Sequence, residues 1–158
     1  MHPNQETIVR FYSAFSQRDA ETMASCYHKD VTFSDPVFKF LKGAEVAAMW
    51  SMLCLQAKTL HITSSDIEAD EDKGQANWTA RYAFGKPPRP VYNRIHAEFE
   101  FLDGKIIRHI DSFNFWKWSR MALGPLGLLL GWQSGVQQKI STQAMSNLTK
   151  FITKTKTK

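Results

Sequence analysis

The sequence predicts an α+β domain in which helices pack on one face of a curved, cone-shaped antiparallel sheet, followed by a C-terminal helical extension. Apolar residues first recur at helical spacing, from Asn4 to Leu53. The period then changes to two, which is typical of half-buried strands, between Leu60 and Phe115. Helical spacing returns after Trp118. Helices followed by a run of strands indicate the α+β class.

Three helices are predicted in the first part of the chain. The first covers residues 4–17, the second starts at the N-cap Asp19, and the third follows Gly43. Val31 and Phe33 belong to a short strand between the last two helices, and Asp35-Pro36 ends it because proline cannot donate to a ladder. The apolar positions at helical spacing in the first and third helices are Ile8, Phe11, Tyr12, Phe15, Val46, Met49, Trp50 and Leu53.

Four longer strands are predicted next, over residues 60–69, 76–84 and the two arms of a hairpin at residues 91–118. Asp103-Gly104 between alternating hydrophobic residues is a strong hairpin signal. A two-residue loop pairs Glu98 with His109, whereas a three-residue loop with Gly104 in a left-handed bulge pairs Glu98 with Arg108. We prefer the second register because it gives one coherent apolar face, on which His109 and Asp111 lie.

Length and composition indicate one soluble globular domain. The 158 residues suffice for a hydrophobic core, and the hydrophobic and charged contents of 43% and 22% are ordinary for such a protein. The net charge of +5 argues only weakly for nucleic acid, because several of the lysines lie in the C-terminal tail. We therefore expect no nucleic-acid partner.

Cysteine usage and hydropathy predict a cytoplasmic protein. Cys26 and Cys54 show neither metal-ligand spacing nor a disulfide framework, which favours a reducing compartment. The N-terminus lacks the charged and apolar regions of a signal peptide. The longest apolar run, residues 121–132, would span about 18 Å as a helix, short of the about 30 Å hydrocarbon core of a bilayer. We therefore expect no transmembrane segment.

The order of elements and two motifs resemble the nuclear-transport-factor-2-like superfamily. Ser34-Asp35-Pro36 closes the first strand, and the run from Asp103-Gly104-Lys105-Ile106 to His109-Ile110-Asp111 is similar to the SnoaL-like and ketosteroid-isomerase-like branch. The resemblance covers about residues 8–115. It implies a cone whose sheet surrounds a central pocket for a small, largely apolar molecule. We expect residues 1–118 to form this domain, and residues 119–158 to pack on it as a hydrophobic segment, a helix and a basic tail.

Asp35 is the first candidate catalytic residue that the resemblance implies. It stands where ketosteroid isomerases keep the carboxylate that shuttles a proton next to a carbonyl. Such a base needs a partly desolvated carboxyl, so that its pKa lies closer to the working pH. The oxyanion donors of those enzymes do not carry over, because Phe11 and Ala97 stand at their positions. The alternative is a turn residue that caps the bend at Pro36.

Asp111 and His109 are the other two candidates. The resemblance implies that Asp111 is the general acid/base of SnoaL-like cyclases, and His109 points to the same face of its strand. At about 7 Å along that strand, the two are expected to meet through a water, a ligand or a third side chain. One alternative is a buried, hydrogen-bonded pair that only specifies the sheet. A metal site is the other, but no third ligand has a compelling place, so we expect neither metal nor cofactor.

Two classes of function remain open at this stage. One is a small-molecule enzyme that transfers a proton, as an isomerase, cyclase or dehydratase, on a small apolar carbonyl, polyketide-like or steroid-like compound. The other is a non-catalytic module that binds a ligand or a protein through the same cone. In either class, the residues predicted to line the pocket are Phe11, Tyr12, Phe15, Tyr27, Trp50, Trp78, Tyr82, Ala97, Phe99, Phe113 and Phe115.

The apolar residues 121–132 include three glycines and a proline, so they do not form one clean helix. Left exposed in a monomer, they would be an unusually large apolar patch. They could plug the wide end of the cone, contact a membrane surface, or bury themselves against a second subunit. The last of these alternatives predicts a homodimer.

Overall fold

The computed structural model describes residues 1–56, 58–125 and 134–156. Three helices lie in the first part of the chain, namely α1 (Pro3–Ser16), α2 (Ala20–Ser25) and α3 (Ala44–Gln56). The strands are β1 (Tyr27–Ser34), β2 (Leu41–Lys42), β3 (His61–Ala69), β4 (Lys73–Phe84), β5 (Arg89–Leu102) and β6 (Lys105–Ser112). Two helices follow the strands, α4 (Phe115–Leu123) and α5 (Ser134–Lys156). The α+β class with a C-terminal helix is thereby confirmed.

Helices α1, α2 and α4 begin at recognisable N-caps. The His2 imidazole accepts a hydrogen bond from the Asn4 amide at 3.0 Å, and Pro3 occupies the first position of α1, where no N–H is needed. Asp19 caps α2 as predicted, since its carboxylate accepts from the Thr22 amide at 3.1 Å. Asn114 caps α4 by accepting from the Lys117 amide at 3.0 Å. These local signals explain why the helices start where they do.

The six strands form one curved sheet in the order β2-β1-β6-β5-β4-β3. Adjacent strands are antiparallel except β1 and β6, which run parallel, with Phe33 opposite His109. The expected all-antiparallel sheet is incorrect at this one pair. The alternation of polar and apolar residues shows which side chains face inward, but it carries no information about strand direction. Because β1 joins β6 from a distant part of the chain, no hairpin requires the two to be antiparallel.

The central hairpin has a different register from the predicted one. Asp103 and Gly104 form a two-residue turn, both with positive φ, at 53° and 74°. A bulge then lies within β6, and Arg108 pairs with Glu100 at 3.3 Å, so the predicted pairing of Arg108 with Glu98 is wrong. The extra residue sits in the strand rather than in the loop, which shifts the pairing by an even number of residues. The predicted apolar face survives for that reason.

Two hydrophobic clusters hold the fold together. The main core lies between α1, α3 and the inner face of the sheet, and α5 contributes Leu148, which is 1% exposed. A smaller group, called here the C-terminal cluster, consists of Val91, Phe115, Trp118 and Ala122. It joins α4 to the end of β5, and Ile140 of α5 packs against it. Residues of the C-terminal extension therefore take part in both clusters.

The predicted apolar segment 121–132 can be followed only in part. Its first three residues end α4, where Met121 and Leu123 pack against the C-terminal cluster. Residues 126–133 lie outside the described residues, and the choice between a plug and a subunit contact stays open. Within the described ranges, none of the helices has the length and apolar character needed to span a bilayer.

Candidate functional site

His109 and Asp111 contact each other directly. The His109 Nε2 atom lies 2.9 Å from Asp111 Oδ1, although the two residues occupy alternate positions of β6. His109 has no exposed surface, and Asp111 is 3% exposed. The expected bridging group is therefore not needed, and that expectation is wrong. Side chains lean along a strand, and the imidazole and carboxylate together are long enough to close the gap.

A chain of hydrogen bonds extends on both sides of this pair. The Trp50 indole N–H donates to Tyr27 Oη at 2.8 Å, and Tyr27 Oη lies 2.8 Å from His109 Nδ1. Because the Asp111 carboxylate can only accept, His109 donates to it from Nε2. In a neutral imidazole Nδ1 is then the acceptor, and the Tyr27 hydroxyl donates to it. The Trp78 indole N–H donates to the same Asp111 oxygen at 3.3 Å.

Aromatic rings enclose the imidazole of His109. The ring of Phe99 lies 4.5 Å away between centroids, the ring of Phe33 lies 5.0 Å away, and Trp50 stacks at 6.1 Å. Burial also raises the pKa of the Tyr27 hydroxyl well above its usual value, with the charge of Asp111 adding to the effect. Both ring nitrogens are used inside the protein, so the pair has the form of a buried structural network.

Asp35 lies in the turn between β1 and β2. Its Oδ1 accepts from the amides of Val37 at 2.7 Å and Phe38 at 2.6 Å, and its own amide donates to Phe38 O at 2.8 Å. This is the turn geometry that the alternative interpretation of Asp35 predicted. Both hydrogen bonds hold the same carboxylate oxygen. Within the described residues the other oxygen, Oδ2, accepts none.

The environment of Asp35 favours its protonated form. Burial raises the pKa of its carboxyl to about 7, and the nearby charge of Asp111 adds to the rise, against the lowering effect of the two backbone hydrogen bonds. The residue is nevertheless only partly buried. Asp35 is therefore a carboxyl that solvent can reach and whose proton is exchangeable near neutral pH.

Tyr82 and Trp118 form a hydrogen-bonded pair near enough to Asp35 for its charge to act on the Tyr82 hydroxyl. The Trp118 indole N–H donates to Tyr82 Oη at 2.7 Å. Burial raises the pKa of the Tyr82 hydroxyl, and the charge of Asp35 contributes to the shift. Since Trp118 belongs to α4, the helix that follows the strands supplies part of the surroundings of Asp35.

Helix α5 holds the turn that carries Asp35. The Gln137 side-chain amide donates to the carbonyl oxygen of Pro36 at 2.9 Å, and the Ser141 hydroxyl donates to the carbonyl oxygen of Val37. These bonds join parts of the chain that are 101 and 104 residues apart. The C-terminal extension thereby fixes the position of the turn from outside.

The residues predicted to line a pocket divide into two groups. Eight of them are buried in the main core: Phe11, Tyr12, Phe15, Tyr27, Trp50, Trp78, Ala97 and Phe99. Tyr82 and Phe113 are partly buried and touch both clusters, and Phe115 belongs to the C-terminal cluster. Two surface cavities of about 560 and 450 Å³ open on the outer face of the sheet, and neither is lined by Asp35 or His109. A central pocket stays a prediction.

Two polar groups of the interior have no partner within the described residues. The Tyr12 hydroxyl is one, in a side chain that is 2% exposed and lies against Trp78. Asn93 is the other, because its side chain is 8% exposed and its amide makes no hydrogen bond to that part of the chain. The sequence interpretation missed Asn93, although it shares the inward parity of Ile95 and Ala97 on the same strand.

Metal binding finds no support in this geometry. Across residues 1–56, 58–125 and 134–156, no three His, Cys, Asp or Glu side chains come together as ligands.

The family model of the SnoaL-like domain matches residues 8–109, which include Asp35 and His109 but neither Asp111 nor the C-terminal extension. No curated protein matches the sequence.

Solved structures share the fold at low sequence identity. TerC, co-crystallised with polyporic acid, is 17% identical with a TM-score of 0.67, over 78% of this chain and 100% of that chain. An LEH-like epoxide hydrolase of M. tuberculosis is 20% identical with a TM-score of 0.63, over 81% and 95% of the two chains. An NTF2-like protein of unknown function from Burkholderia pseudomallei is 15% identical with a TM-score of 0.67, over 77% and 98%.

Proposed function

Because this chain belongs to the SnoaL-like domain family, we propose that it binds a small, largely apolar carbonyl compound and moves a proton on it with the carboxyl of Asp35. The reaction class is that of an isomerase, cyclase or dehydratase, in which a C–H bond next to a carbonyl loses its proton. The related structures contain a protein crystallised with polyporic acid and an epoxide hydrolase, which is compatible with small-molecule chemistry on this fold.

The observation that carries the proposal is the asymmetric hydrogen bonding of Asp35. Two backbone amides hold Oδ1, while Oδ2 accepts no hydrogen bond from the described residues. The held oxygen fixes the orientation of the carboxyl, and the other oxygen can take the proton. A pKa of about 7 allows the group to accept a proton and to return it at neutral pH.

His109 and Asp111 act on Asp35 from a distance in this proposal. The charge of Asp111 is one cause of the raised pKa of Asp35. His109 and Trp78 hold Asp111 by two hydrogen bonds to Oδ1. We therefore assign both residues a positioning role, since the aromatic packing around His109 leaves it no surface for a substrate.

Exchange of carbon-bound hydrogen tests the proposal directly. 2-Tetralone, a small bicyclic ketone with acidic α-hydrogens, is incubated with the protein in D₂O, and its exchange is followed by proton NMR. We expect the wild type to accelerate exchange, with a rate that rises with pH up to about 7 and then levels off. Asp35→Asn should lower the catalysed rate at least about 100-fold, because this factor is the lower end of what a general base contributes to a rate.

Asp70 offers a matched control. Its Oδ1 also accepts from two backbone amides, those of Asp72 and Lys73, each at 2.8 Å. Asp70 is exposed, however, and these hydrogen bonds lower its pKa. Asp70→Asn should therefore leave exchange unchanged. A folded Asp35→Asn variant that still catalyses exchange like the wild type would rule out Asp35 as the base.

A non-catalytic binding module is the second candidate. Phe11 and Ala97, at the positions of the oxyanion donors, favour it because neither side chain can donate a hydrogen bond. In that case 2-tetralone should raise the melting temperature of the protein by linkage, yet its exchange should not be accelerated. Both candidates therefore predict a higher melting temperature with 2-tetralone, and they give opposite results for its exchange.

Assembly and location complete the proposal. We propose a cytoplasmic homodimer in which the apolar residues 121–132 contribute to the subunit contact. Light scattering should then give twice the chain mass of 18.1 kDa. A monomer at micromolar concentration would contradict the dimer and leave the same segment as a plug.

A further inference from the structure

Asn93 is an unpaired amide on the inner face of the sheet. It lies on β5 between Val91 and Ile95, which are 2% and 4% exposed, and is itself 8% exposed. Nothing in the described part of the chain hydrogen-bonds to its side chain. The amide differs from the Tyr12 hydroxyl, the fully buried polar atom without a partner in the described residues, because its atoms are not completely shielded from solvent. Polar side chains of such low exposure usually have a partner. An amide that is unpaired and still within reach points to a group that binds there.

Tyr82 presents a second donor beside Asn93. In the ladder between β4 and β5, Asn93 faces Ala80 and Tyr82 faces Val91, so Tyr82 is a diagonal neighbour of Asn93 on the same inner face. Tyr82 Oη accepts from the Trp118 indole at 2.7 Å, which leaves its own O–H proton to donate. Tyr82 also feels the charge of Asp35. Asn93 and Tyr82 thus lie on the side of the sheet where Asp35 is found.

We propose that the amide of Asn93 and the hydroxyl of Tyr82 form the binding site for the carbonyl oxygen of a small ketone. The inference rests on the proposed function, because Asp35 would act on the carbon next to that carbonyl. When Asp35 takes the proton, the C–H electron pair becomes the enolate double bond and the negative charge moves to oxygen. Donors at Asn93 and Tyr82 stabilise this oxygen, a task that Phe11 and Ala97 cannot perform.

The apolar part of the ketone has a surface to lie on. The C-terminal cluster, with Phe115 and Trp118, packs against Tyr82 and lies at the end of β5 that carries Asn93. Since α4 supplies those two aromatic side chains, the helix that follows the family domain takes part in selecting the ligand. The combination of two polar donors with neighbouring aromatic side chains matches the chemistry of a small cyclic ketone.

Replacement of Asn93 by leucine tests the site without any need for turnover. Binding of 2-tetralone and of tetralin, its hydrocarbon counterpart, is measured by calorimetry for the wild type, Asn93→Leu and Tyr82→Phe. We expect Asn93→Leu to lower the affinity for 2-tetralone about three- to tenfold, the range of one neutral hydrogen bond, and to leave tetralin binding unchanged. Tyr82→Phe should likewise lower the ratio of the affinity for 2-tetralone to the affinity for tetralin. This variant serves as the test if Asn93→Leu does not fold.

Thermal unfolding distinguishes a ligand-binding asparagine from a structural one, because the two predict changes of melting temperature in opposite directions. Removing an unpaired buried amide should maintain or raise the melting temperature of Asn93→Leu. Asn77→Leu is the control, because Asn77 is exposed on the outer face and bonded to Asp66 at 3.0 Å and to His96 at 2.8 Å. That variant should be less stable than the wild type and should keep the preference for the ketone.

Several results would overturn the site. They are an unchanged ketone preference in Asn93→Leu and Tyr82→Phe, a lower melting temperature of Asn93→Leu, and a wild type that binds neither compound or both equally. Failure of the proton-transfer proposal looks different. In that case Asp35→Asn would keep the wild-type exchange rate, while the preference for the ketone would still depend on Asn93.

Discussion

The inner face of the sheet carries two polar regions with opposite character. The first, called the His109 network, consists of Tyr27, Trp50, Trp78, His109 and Asp111. The second, called the Asp35 region, consists of Asp35, Tyr82, Asn93 and Trp118. In the His109 network the imidazole is wholly buried and both its nitrogens are bonded inside the protein. In the Asp35 region a carboxyl is only partly buried and an amide has no partner within the described residues.

This difference indicates which of the two regions can bind a ligand. Hydrogen bonds that occupy both nitrogens of a fully buried imidazole specify a structure, and they leave nothing on that ring for a ligand to satisfy. Groups that are buried but incompletely bonded are unfavourable in the free protein and gain when a partner arrives. We therefore infer that the His109 network stabilises the fold and that the Asp35 region is the site of the proposed function.

The two regions also differ in how they involve the C-terminal helices. Each has one residue beyond the SnoaL-like match at residues 8–109, namely Asp111 in the His109 network and Trp118 in the Asp35 region. The Asp35 region is joined to the C-terminal helices by Trp118 of α4 and by the hydrogen bonds that α5 makes to the turn. In the proposed site, ligand preference therefore depends on these helices as well as on the family domain.

The largest expected effect comes from the His109 network. Asp111→Ala leaves the N–H groups of His109 and Trp78 without their acceptor in a buried place. We expect a loss of about 2–6 kcal/mol in the free energy of unfolding, measured by urea denaturation, because each of the two buried donors left unsatisfied costs about 1–3 kcal/mol. Glu98→Ala, on the exposed face of β5, should change it by less than about 0.5 kcal/mol. A loss below about 1 kcal/mol for Asp111→Ala would show that the network does not stabilise the fold.

A smaller effect is expected from the pH dependence of stability. The folded protein keeps the Asp35 proton up to a pKa of about 7, whereas the unfolded chain releases it near 3.9. Between these values the folded state binds more protons, so the free energy of unfolding falls as pH rises through this window. The slope from one proton is at most about 1.4 kcal/mol per pH unit.

Asp35→Asn isolates this contribution, since every other group titrates in both proteins. The difference in unfolding free energy, variant minus wild type, should increase from pH 4 to pH 7 in urea experiments and then become constant. Parallel curves for the two proteins would mean that Asp35 has an ordinary pKa in the folded state.

The smallest effect concerns the hydrogen bonds from α5. Ser141→Ala should cost about 0.5–1.5 kcal/mol, the value of one neutral hydrogen bond, and Gln137→Ala a similar amount. Loosening the turn increases the solvation of Asp35 further, so the pKa of its carboxyl should fall in the double variant. Thr142→Ala, on the exposed side of α5, is the control. An unchanged pKa of Asp35 in the double variant would show that α5 does not influence the environment of this carboxyl.

Sequence patterns predicted a substantial part of this molecule. Alternation placed His109 and Asp111 on the inner face, and the Asp-Gly turn located the central hairpin. A side chain that accepts from its own backbone neighbours, such as Asp19, leaves a local signal. Features of this kind depend only on residues that are close in the sequence, so local patterns are enough to predict them.

Other features depend on contacts that have no local signal. The predicted antiparallel direction was wrong for β1 and β6, which run parallel. The bulge in β6 could not be predicted from the sequence of the turn. The bond from Gln137 to Pro36 joins residues that are 101 positions apart. Asn93 was visible by parity alone, but its importance comes from the lack of a partner, which only the packed structure reveals.

Titration of Asp35 by NMR tests the central claim most directly. Carboxyl resonances of carbon-13-labelled aspartate are followed from pH 3 to pH 9 in the wild type and in Asp35→Asn, and the signal missing from the variant is assigned to Asp35. We predict that this signal titrates near pH 7, because burial and the charge of Asp111 favour the protonated carboxyl. A midpoint near 3.9, the value of an exposed aspartate, would contradict the assignment of this region to proton transfer.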